Sequence, residues 1–218
     1  NKRKIGENDS YICRLICNDS VEDFISYVNH TNFSLLNIIT PSIFETNNFL
    51  IKNEPSLIEY AAFYGSIQIF QNLKFNNVEL PSSLWLYTIH SQNAELIHLL
   101  EEWLVQPPDE SYKKCYKEAI KCHHNDIANY FKDNSLIEEE IDYKYVFKSY
   151  NYYEIPNEIK EENSTFFYLC YYNYSELTKL YLELKRKNIK NKYNIFFGLL
   201  MKFLNWFCKW NFKLFLFI

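Results

Sequence analysis

In the stretch LIEYAAFYGSIQIFQNL, apolar residues follow a helical spacing that is interrupted once. The small pair Ala61 and Ala62 stands before Gly65, and Ile69 and Leu73, four residues apart, stand after it. Residues four apart share one face of a helix. Glycine takes positive φ without steric strain and therefore suits a tight turn. The pattern predicts two short amphipathic helices joined by a turn at Gly65.

The same arrangement recurs along the chain. Pairs of small or apolar residues, each followed by a turn and an apolar face, are separated by steps of 27, 31, 27 and 23 residues. One helix pair cannot bury both of its apolar sides, so neighbouring copies must stack to complete a core. The pattern predicts an all-α stack of about five or six antiparallel helix pairs, including degenerate ones. The aligned pairs are Ala61–Ala62, Thr88–Ile89, Ala119–Ile120, Val146–Phe147 and Leu169–Cys170.

The segment SLIEYAAFYGSIQIFQNL resembles the ankyrin repeat, whose motif is T-P-L-H-x-A-A, two spacer residues and G-H-L-E-V-V-K-L-L. Residues 56–59 replace the Thr-Pro-Leu-His of that motif, and FNNVELPSS stands in place of its hairpin. The ordered blocks across residues 11–190 are similar to a divergent ankyrin family of unknown function that is expanded in parasitic protists. The resemblance implies an ankyrin-like solenoid of stacked antiparallel helix pairs with shortened hairpin tips, and a non-enzymatic role in protein–protein interaction.

Three segments are expected. Residues 1–10 form a polar leader that is predicted to be disordered, residues 11–192 form the ankyrin-like repeat domain, and residues 193–218 form an apolar, aromatic-rich tail. The tail is long enough to span a bilayer, but three lysines interrupt it. Three interpretations stay open: a membrane anchor or interfacial helix, a helix covering the end of the stack, and a shifted or truncated reading frame. The anchor interpretation makes a membrane-tethered ankyrin adaptor the alternative function.

The composition limits which classes of partner and which cellular compartment are expected. The 218 residues carry a net charge of −4, so there is no basic excess to follow a phosphate backbone, and nucleic acid is excluded as the expected partner. Only three glycines occur, which argues against a turn-rich β-sandwich. Six cysteines without a C-x-x-C motif favour a reducing compartment. We expect a monomeric cytoplasmic protein that binds an unidentified protein partner.

The sequence contains no recognised catalytic or metal-binding motif. The three glycines are too far apart for a phosphate-binding loop, and neither G-x-S-x-G nor H-E-x-x-H occurs. The strongest metal candidate is the group Cys115, Cys122, His123 and His124, but its spacing matches no known zinc motif. We interpret the two cysteines as core residues and the two histidines as turn residues. The sequence therefore predicts no enzyme activity, no cofactor and no metal ligands, unless such a module precedes Asn1.

The tips between successive helix pairs are the predicted partner contacts, because a repeat stack presents them as one continuous edge. Trp85 was also considered, since Trp is enriched in binding hot spots, but its place in a first helix favours a core role. The concave face formed by the first helices is the other surface where a partner could bind. The predicted contact residues are Asn76, Asn77, Glu79, Trp103, Gln106, Asp109, Lys132 and Asp133.

Overall fold

The computed structural model describes residues 6–109, 111–134, 143–151 and 163–189, in two compact units. Every regular element in these ranges is an α-helix, which confirms the all-α prediction. Unit 1 (Asn1–Glu140) contains α1 Tyr11–Cys17, α2 Val21–Thr31, α3 Asn48–Asn53, α4 Leu57–Tyr64, α5 Ile67–Phe75, α6 Leu84–Ser91, α7 Ala94–Glu102, α8 Lys113–Lys121 and α9 Asn125–Asp133. Unit 2 (Ile141–Ile218) contains α10 Tyr143–Lys148, α11 Asn163–Tyr171 and α12 Ser175–Ile189.

The turn after α4 shows how a helix pair is closed. Gly65 has a φ of 73°, and its N–H donates to the carbonyl of Ala62 at 3.2 Å. The N–H of Ser66 donates to the carbonyl of Ala61 at 3.0 Å. These two bonds satisfy carbonyls that a helix leaves open at its C-terminus. Equivalent left-handed residues follow the other first helices, at Asp19, Gln92 and His123 in unit 1 and at Tyr150 and Asn173 in unit 2.

The pairs aligned from the sequence supply the carbonyls that accept at these turns. After α8, the N–H of His123 donates to Ile120 at 3.2 Å, and the N–H of His124 donates to Ala119 at 2.9 Å. In the turn after α6 a side chain takes part, because the hydroxyl of Ser91 donates to the carbonyl of Thr88 and accepts the N–H of Asn93. Unit 2 repeats the backbone pattern with the acceptors Val146, Phe147, Leu169 and Cys170.

Small side chains lie on the helices that pack side by side in unit 1. α4 contacts α1 and α6, and α6 also contacts α8. Ala61, Thr88 and Ala119, one from each of α4, α6 and α8, are 0% exposed. Their small volume lets neighbouring backbones approach closely. Each first helix also contacts the second helix of its own pair, and the second helices bury the predicted apolar positions Ile69, Leu73, Leu96, Leu100, Ile127 and Phe131.

A series of side-chain hydrogen bonds joins successive pairs. In each case the residue directly after the left-handed turn position donates a hydrogen bond from its side chain to a backbone carbonyl of the preceding turn. The carbonyls of Ile16, Ile89 and Phe147 also accept a backbone N–H at their own turn, so the side chain adds a second hydrogen bond that joins one pair to the next. The bonds are Ser66 to Ile16 at 2.5 Å, Asn93 to Gly65 at 3.4 Å and His124 to Ile89 at 2.7 Å in unit 1, and Tyr174 to Phe147 at 2.8 Å in unit 2.

The first helix of the best-matching repeat uses a carboxylate where the ankyrin motif has histidine. Glu59 accepts hydrogen bonds from the N–H and the hydroxyl of Ser56 at 2.8 Å each. Its second oxygen accepts from the hydroxyl of Ser83, at the start of α6. Ser56 and Ser83 occupy equivalent places, 27 residues apart. Glu59 therefore links the starts of two neighbouring first helices.

The N-terminal part of the chain packs onto the helix pairs. Within the predicted leader, Asn8 is 4% exposed and donates its side-chain amide to the carbonyl of Thr40 at 2.9 Å. Further along, the ring of Phe49 on α3 lies 6.2 Å from that of Phe63 on α4 and 4.9 Å from that of Tyr87 on α6. The segment before the first complete repeat thus covers part of the face formed by the first helices.

No helix in the described ranges is both long enough and apolar enough to cross a bilayer. The tail at residues 193–218, on which the membrane-anchor interpretation depends, lies outside the described residues.

Candidate partner-binding groove

A groove of about 520 Å³ lies between two successive loops of unit 1. One loop follows α5 and the other follows α7, so the two walls come from adjacent helix pairs. The lining residues, which we call the tip groove, are Lys74, Asn77, Val78, Glu79, Leu80, Ser82, Trp103, Leu104, Val105 and Gln106.

Both walls leave their helix in the same way. Asn77 and Leu104, 27 residues apart, take left-handed φ values of 60° and 53°. The residues that follow them, Val78 and Val105, point into the protein and are 7% and 8% exposed. The buried valines anchor both loops to the core, while Leu104 is 78% exposed. The second loop is therefore fixed in place and presents an apolar side chain to solvent.

Trp103 is held by contacts on α5. Its ring stacks on that of Phe70 with a centroid distance of 5.8 Å and an interplanar angle of 10°. The Nζ of Lys74 lies 6.0 Å from the ring centroid, within reach of a cation–π interaction. Because Phe70 is fully buried, the Trp103 ring is anchored on one side while its other parts remain partly accessible. Such a ring can contact a partner with little loss of side-chain entropy.

Trp85 supports the groove from within the core. It is 0% exposed, which confirms the core interpretation of this residue. Its Nε1–H donates to the carbonyl of Val105 at 2.8 Å, and its ring meets that of Tyr112 edge to face at 4.9 Å. The indole thereby fixes the backbone of the second groove wall. Trp85 acts on the groove by positioning it and does not line it.

The structure separates the predicted contact residues into those in the groove and those outside it. Asn76 is exposed at the end of α5, where its side-chain amide donates to the carbonyl of Asn72 at 2.8 Å. Asp109 accepts the N–H of Lys114 at 2.9 Å and so caps the start of α8. Lys132 and Asp133, exposed at the end of α9, are not among the lining residues, whereas Asn77, Glu79, Trp103 and Gln106 are.

Sequence reasoning missed six lining residues: Lys74, Val78, Leu80, Ser82, Leu104 and Val105. A signal for the loops was present, because a valine is followed within three residues by proline in both VELP and VQPP. Proline cannot continue a helix and holds the chain extended. Aligning the two loops on this valine would have placed Asn77 opposite Leu104 as equivalent positions.

The groove has mixed polarity. Its charged members are one cation, Lys74, and one carboxylate, Glu79, and no histidine or cysteine lines it. Paired carboxylates are therefore not found among the lining residues. An apolar centre with polar edges is typical of a surface that binds another protein.

The residues weighed as a metal group do not act together. Cys115 is fully buried, and burial raises the pKa of its thiol. His123 occupies the exposed left-handed turn position. The Nδ1–H of His124 donates to a backbone carbonyl, and burial lowers the pKa of its imidazole. Cys122 is half-buried and lies among side chains outside this set, namely those of His90 and Glu118.

The chain was compared with models of known protein families, with curated proteins and with solved structures, and no match was found.

Proposed function

We propose that this chain is an ankyrin-like solenoid that serves as a non-enzymatic scaffold for protein–protein interaction. Support for the solenoid comes from repetition within unit 1. The turns that follow Ala61, Thr88 and Ala119 each contain one left-handed residue, and side-chain hydrogen bonds link each turn to the one before it. Local units that repeat and contact their neighbours are the defining feature of a solenoid.

The tip groove is the proposed partner site, and one observation carries this proposal. Residues from the tips of two successive pairs form a groove of about 520 Å³ around a partly accessible Trp103. The indole, the exposed Leu104 and the buried valines provide an apolar centre, and Glu79 and Gln106 provide polar edges. We propose that the partner inserts an apolar side chain from an extended segment and donates hydrogen bonds to these edges.

The tip groove is favoured over the concave face of the stack. Phe49 covers part of that face, because its ring packs against Phe63 and Tyr87 of neighbouring first helices. A partner that bound there would have to displace α3. The groove needs no such rearrangement, and most pre-organised complexes form with little backbone movement. A cytoplasmic location remains part of the proposal. None of the five described cysteines lies in a disulfide, which is compatible with a reducing compartment.

Selection from a displayed peptide library against the full chain tests the proposal. We expect selected peptides to share an apolar anchor and to bind the wild-type chain in a fluorescence-polarisation titration. Trp103→Ala should weaken binding about 30-fold, the loss of about 2 kcal/mol that is typical of a hot-spot residue. Glu79→Lys should also weaken it, whereas Asp133→Lys, the same charge change at an exposed tip outside the groove, should leave it unchanged.

Circular dichroism and urea unfolding of each variant separate loss of binding from loss of folding. Peptides whose affinity is the same for the wild type, Trp103→Ala and Glu79→Lys would show that the groove is not the partner site. A peptide lost equally in Asp133→Lys would show that overall charge, and not the groove, determines binding.

A further inference from the structure

Three side chains with different donor atoms meet where α6 contacts α8. The Nε2 of His90 lies 3.0 Å from the Oε1 of Glu118, and the Sγ of Cys122 lies 3.7 Å from that nitrogen and 4.0 Å from that oxygen. A point equidistant from atoms so spaced lies about 2.1 Å from each, and zinc is bound at about 2.0–2.2 Å by nitrogen and oxygen and about 2.3 Å by sulfur. A tetrahedral ion at these bond lengths has ligand atoms roughly 3.3–3.6 Å apart. The observed separations of 3.0, 3.7 and 4.0 Å span this range, so small side-chain movements would raise the ion above the plane of the triangle.

The fold holds these side chains in position before any ion arrives. Glu118 and Cys122 are four residues apart at the end of α8, so they project from the same face. The imidazole of His90 packs against two phenyl rings, with centroid distances of 4.2 Å to Phe49 and 5.1 Å to Phe63. The side chains of His90 and Glu118 are only 13% and 14% exposed. A largely buried and packed donor set loses little conformational freedom when it binds a metal.

An ion-pair network explains part of this cluster but not all of it. The Nζ of Lys121 lies 2.6 Å from the Oε1 of Glu118, which in turn meets His90. These contacts explain why the carboxylate of Glu118 and the imidazole of His90 lie side by side. The Cys122 thiol is not part of these ion pairs. It contacts both groups only at long sulfur hydrogen-bond distances, 3.5 Å to the Nδ1 of His90 and 4.0 Å to the Oε1 of Glu118, and so completes the triangle. The Lys121 side chain is 59% exposed, so it can swing into solvent and release the carboxylate oxygen.

We propose that His90, Glu118 and Cys122 form a three-ligand site for Zn²⁺ that joins α6 to α8. The proton that the His90 Nε2 shares with the Glu118 carboxylate moves to Nδ1, which frees the Nε2 lone pair for the ion. The ion also replaces the Lys121 ammonium at that carboxylate. It also replaces the proton of the Cys122 thiol, which passes to water, so no group is oxidised or reduced. Zn²⁺, one thiolate and one carboxylate sum to zero charge. Water completes the tetrahedron, as in zinc sites with three protein ligands.

The donor set selects the kind of metal. Calcium and magnesium prefer shells made of oxygen ligands, whereas imidazole and thiolate suit zinc and later transition metals. Bound zinc would tie the pair α6–α7 to the pair α8–α9 through side chains from both. The site does not depend on the tip groove, because the two share no residue.

Cobalt(II) titration of the reduced, EDTA-treated full chain tests the site, because Co²⁺ takes the place of Zn²⁺ and is visible by absorption. We expect a thiolate-to-cobalt charge-transfer band and the d–d bands of a tetrahedral ion, which saturate with one ion per chain and vanish when Zn²⁺ is added. Loss of an outer-sphere partner typically weakens metal binding about 10–100-fold, and loss of a ligand should weaken it at least as much.

Cys122→Ser should abolish the charge-transfer band, and Glu118→Gln should weaken cobalt affinity while the fold, followed by circular dichroism, is retained. His123→Asn is the matched control: it removes an exposed histidine next to Cys122, and Asn tolerates the left-handed φ of 61°. This variant should bind cobalt as the wild type does. No band in the folded wild type, or equal titrations of the wild type and the folded Glu118→Gln chain, would overturn the proposal. A His123→Asn variant that also loses the ion would overturn it as well.

Discussion

Exchanging glycine between equivalent turns should change stability in opposite directions. Gly65 and Gln92 both take the left-handed conformation after a first helix, with φ of 73° and 55°. For a residue with a Cβ, this conformation costs about 1–2 kcal/mol of conformational free energy. Glycine avoids that cost but loses more backbone entropy on folding, which is worth about 0.4–1 kcal/mol. A Cβ built on Gly65 would lie 3.5 Å from its nearest neighbours, Asn93 Nδ2 and Ser91 Cβ, which is ordinary contact. Gly65→Ala should therefore destabilise the chain by about 1 kcal/mol through conformation alone.

Gln92→Gly makes the reverse exchange at the equivalent position and should stabilise the chain by up to about 1 kcal/mol. Urea unfolding followed by circular dichroism measures both free energies of unfolding, and thermal midpoints should move by about 3 °C in opposite directions. The double variant should return close to wild-type stability if the two turns act independently. Destabilisation by both single variants would refute the claim that the two turns are structurally equivalent.

Three further substitutions probe the packing, the groove and the pH dependence. Ser66→Ala should lower the free energy of unfolding by about 0.5–1.5 kcal/mol in urea titrations, because the carbonyl of Ile16 loses one of two donors and keeps the N–H of Asp19. Trp85→Phe, which removes the bond to the Val105 carbonyl, should destabilise the chain by about 1–3 kcal/mol and weaken peptide binding in the groove. Burial raises the pKa of Tyr60 above its ordinary value near 10, so the stability it contributes is complete below about pH 10 and is lost as pH rises further. The fall in urea midpoint between about pH 9 and about pH 11 should therefore be smaller in Tyr60→Phe than in the wild type, and equal falls would contradict this assignment.

Local patterning was sufficient to predict the helices and their faces. The small pair at Ala61 and Ala62, the glycine after it, and the four-residue spacing of Ile69 and Leu73 all act within one turn or one helix. Their consequences are therefore set by backbone hydrogen bonding and the helical period. The same positions are buried or accept hydrogen bonds at the turn. The sequence does not predict the positive φ of Gln92, because glutamine, unlike glycine or asparagine, is not a residue type that favours the left-handed conformation.

Only the tertiary structure decided which tip residues share a groove. Asp109 and Glu79 are both predicted as tip contacts, yet Asp109 accepts an N–H of the first turn of α8 and Glu79 lines the groove. The difference depends on the length and path of each loop before the next helix begins. The hydrophobic periodicity within a helix does not specify either of them. The position of Phe49 over the first helices is another such case, since it depends on a contact between segments that are remote in the repeat pattern.

The meeting of His90 with Cys122 has the same origin. Sequence proximity suggested a group with His123 and His124, but adjacent residues in a turn point in different directions. His90 lies 32 residues from Cys122 and reaches it because α6 packs beside α8. The sequence by itself determined the helices and their buried faces, because these follow from short-range hydrogen bonding and periodicity. The groove and the cluster of His90, Glu118 and Cys122 were decided by packing between neighbouring pairs, since their residues come together only when one pair is placed against the next.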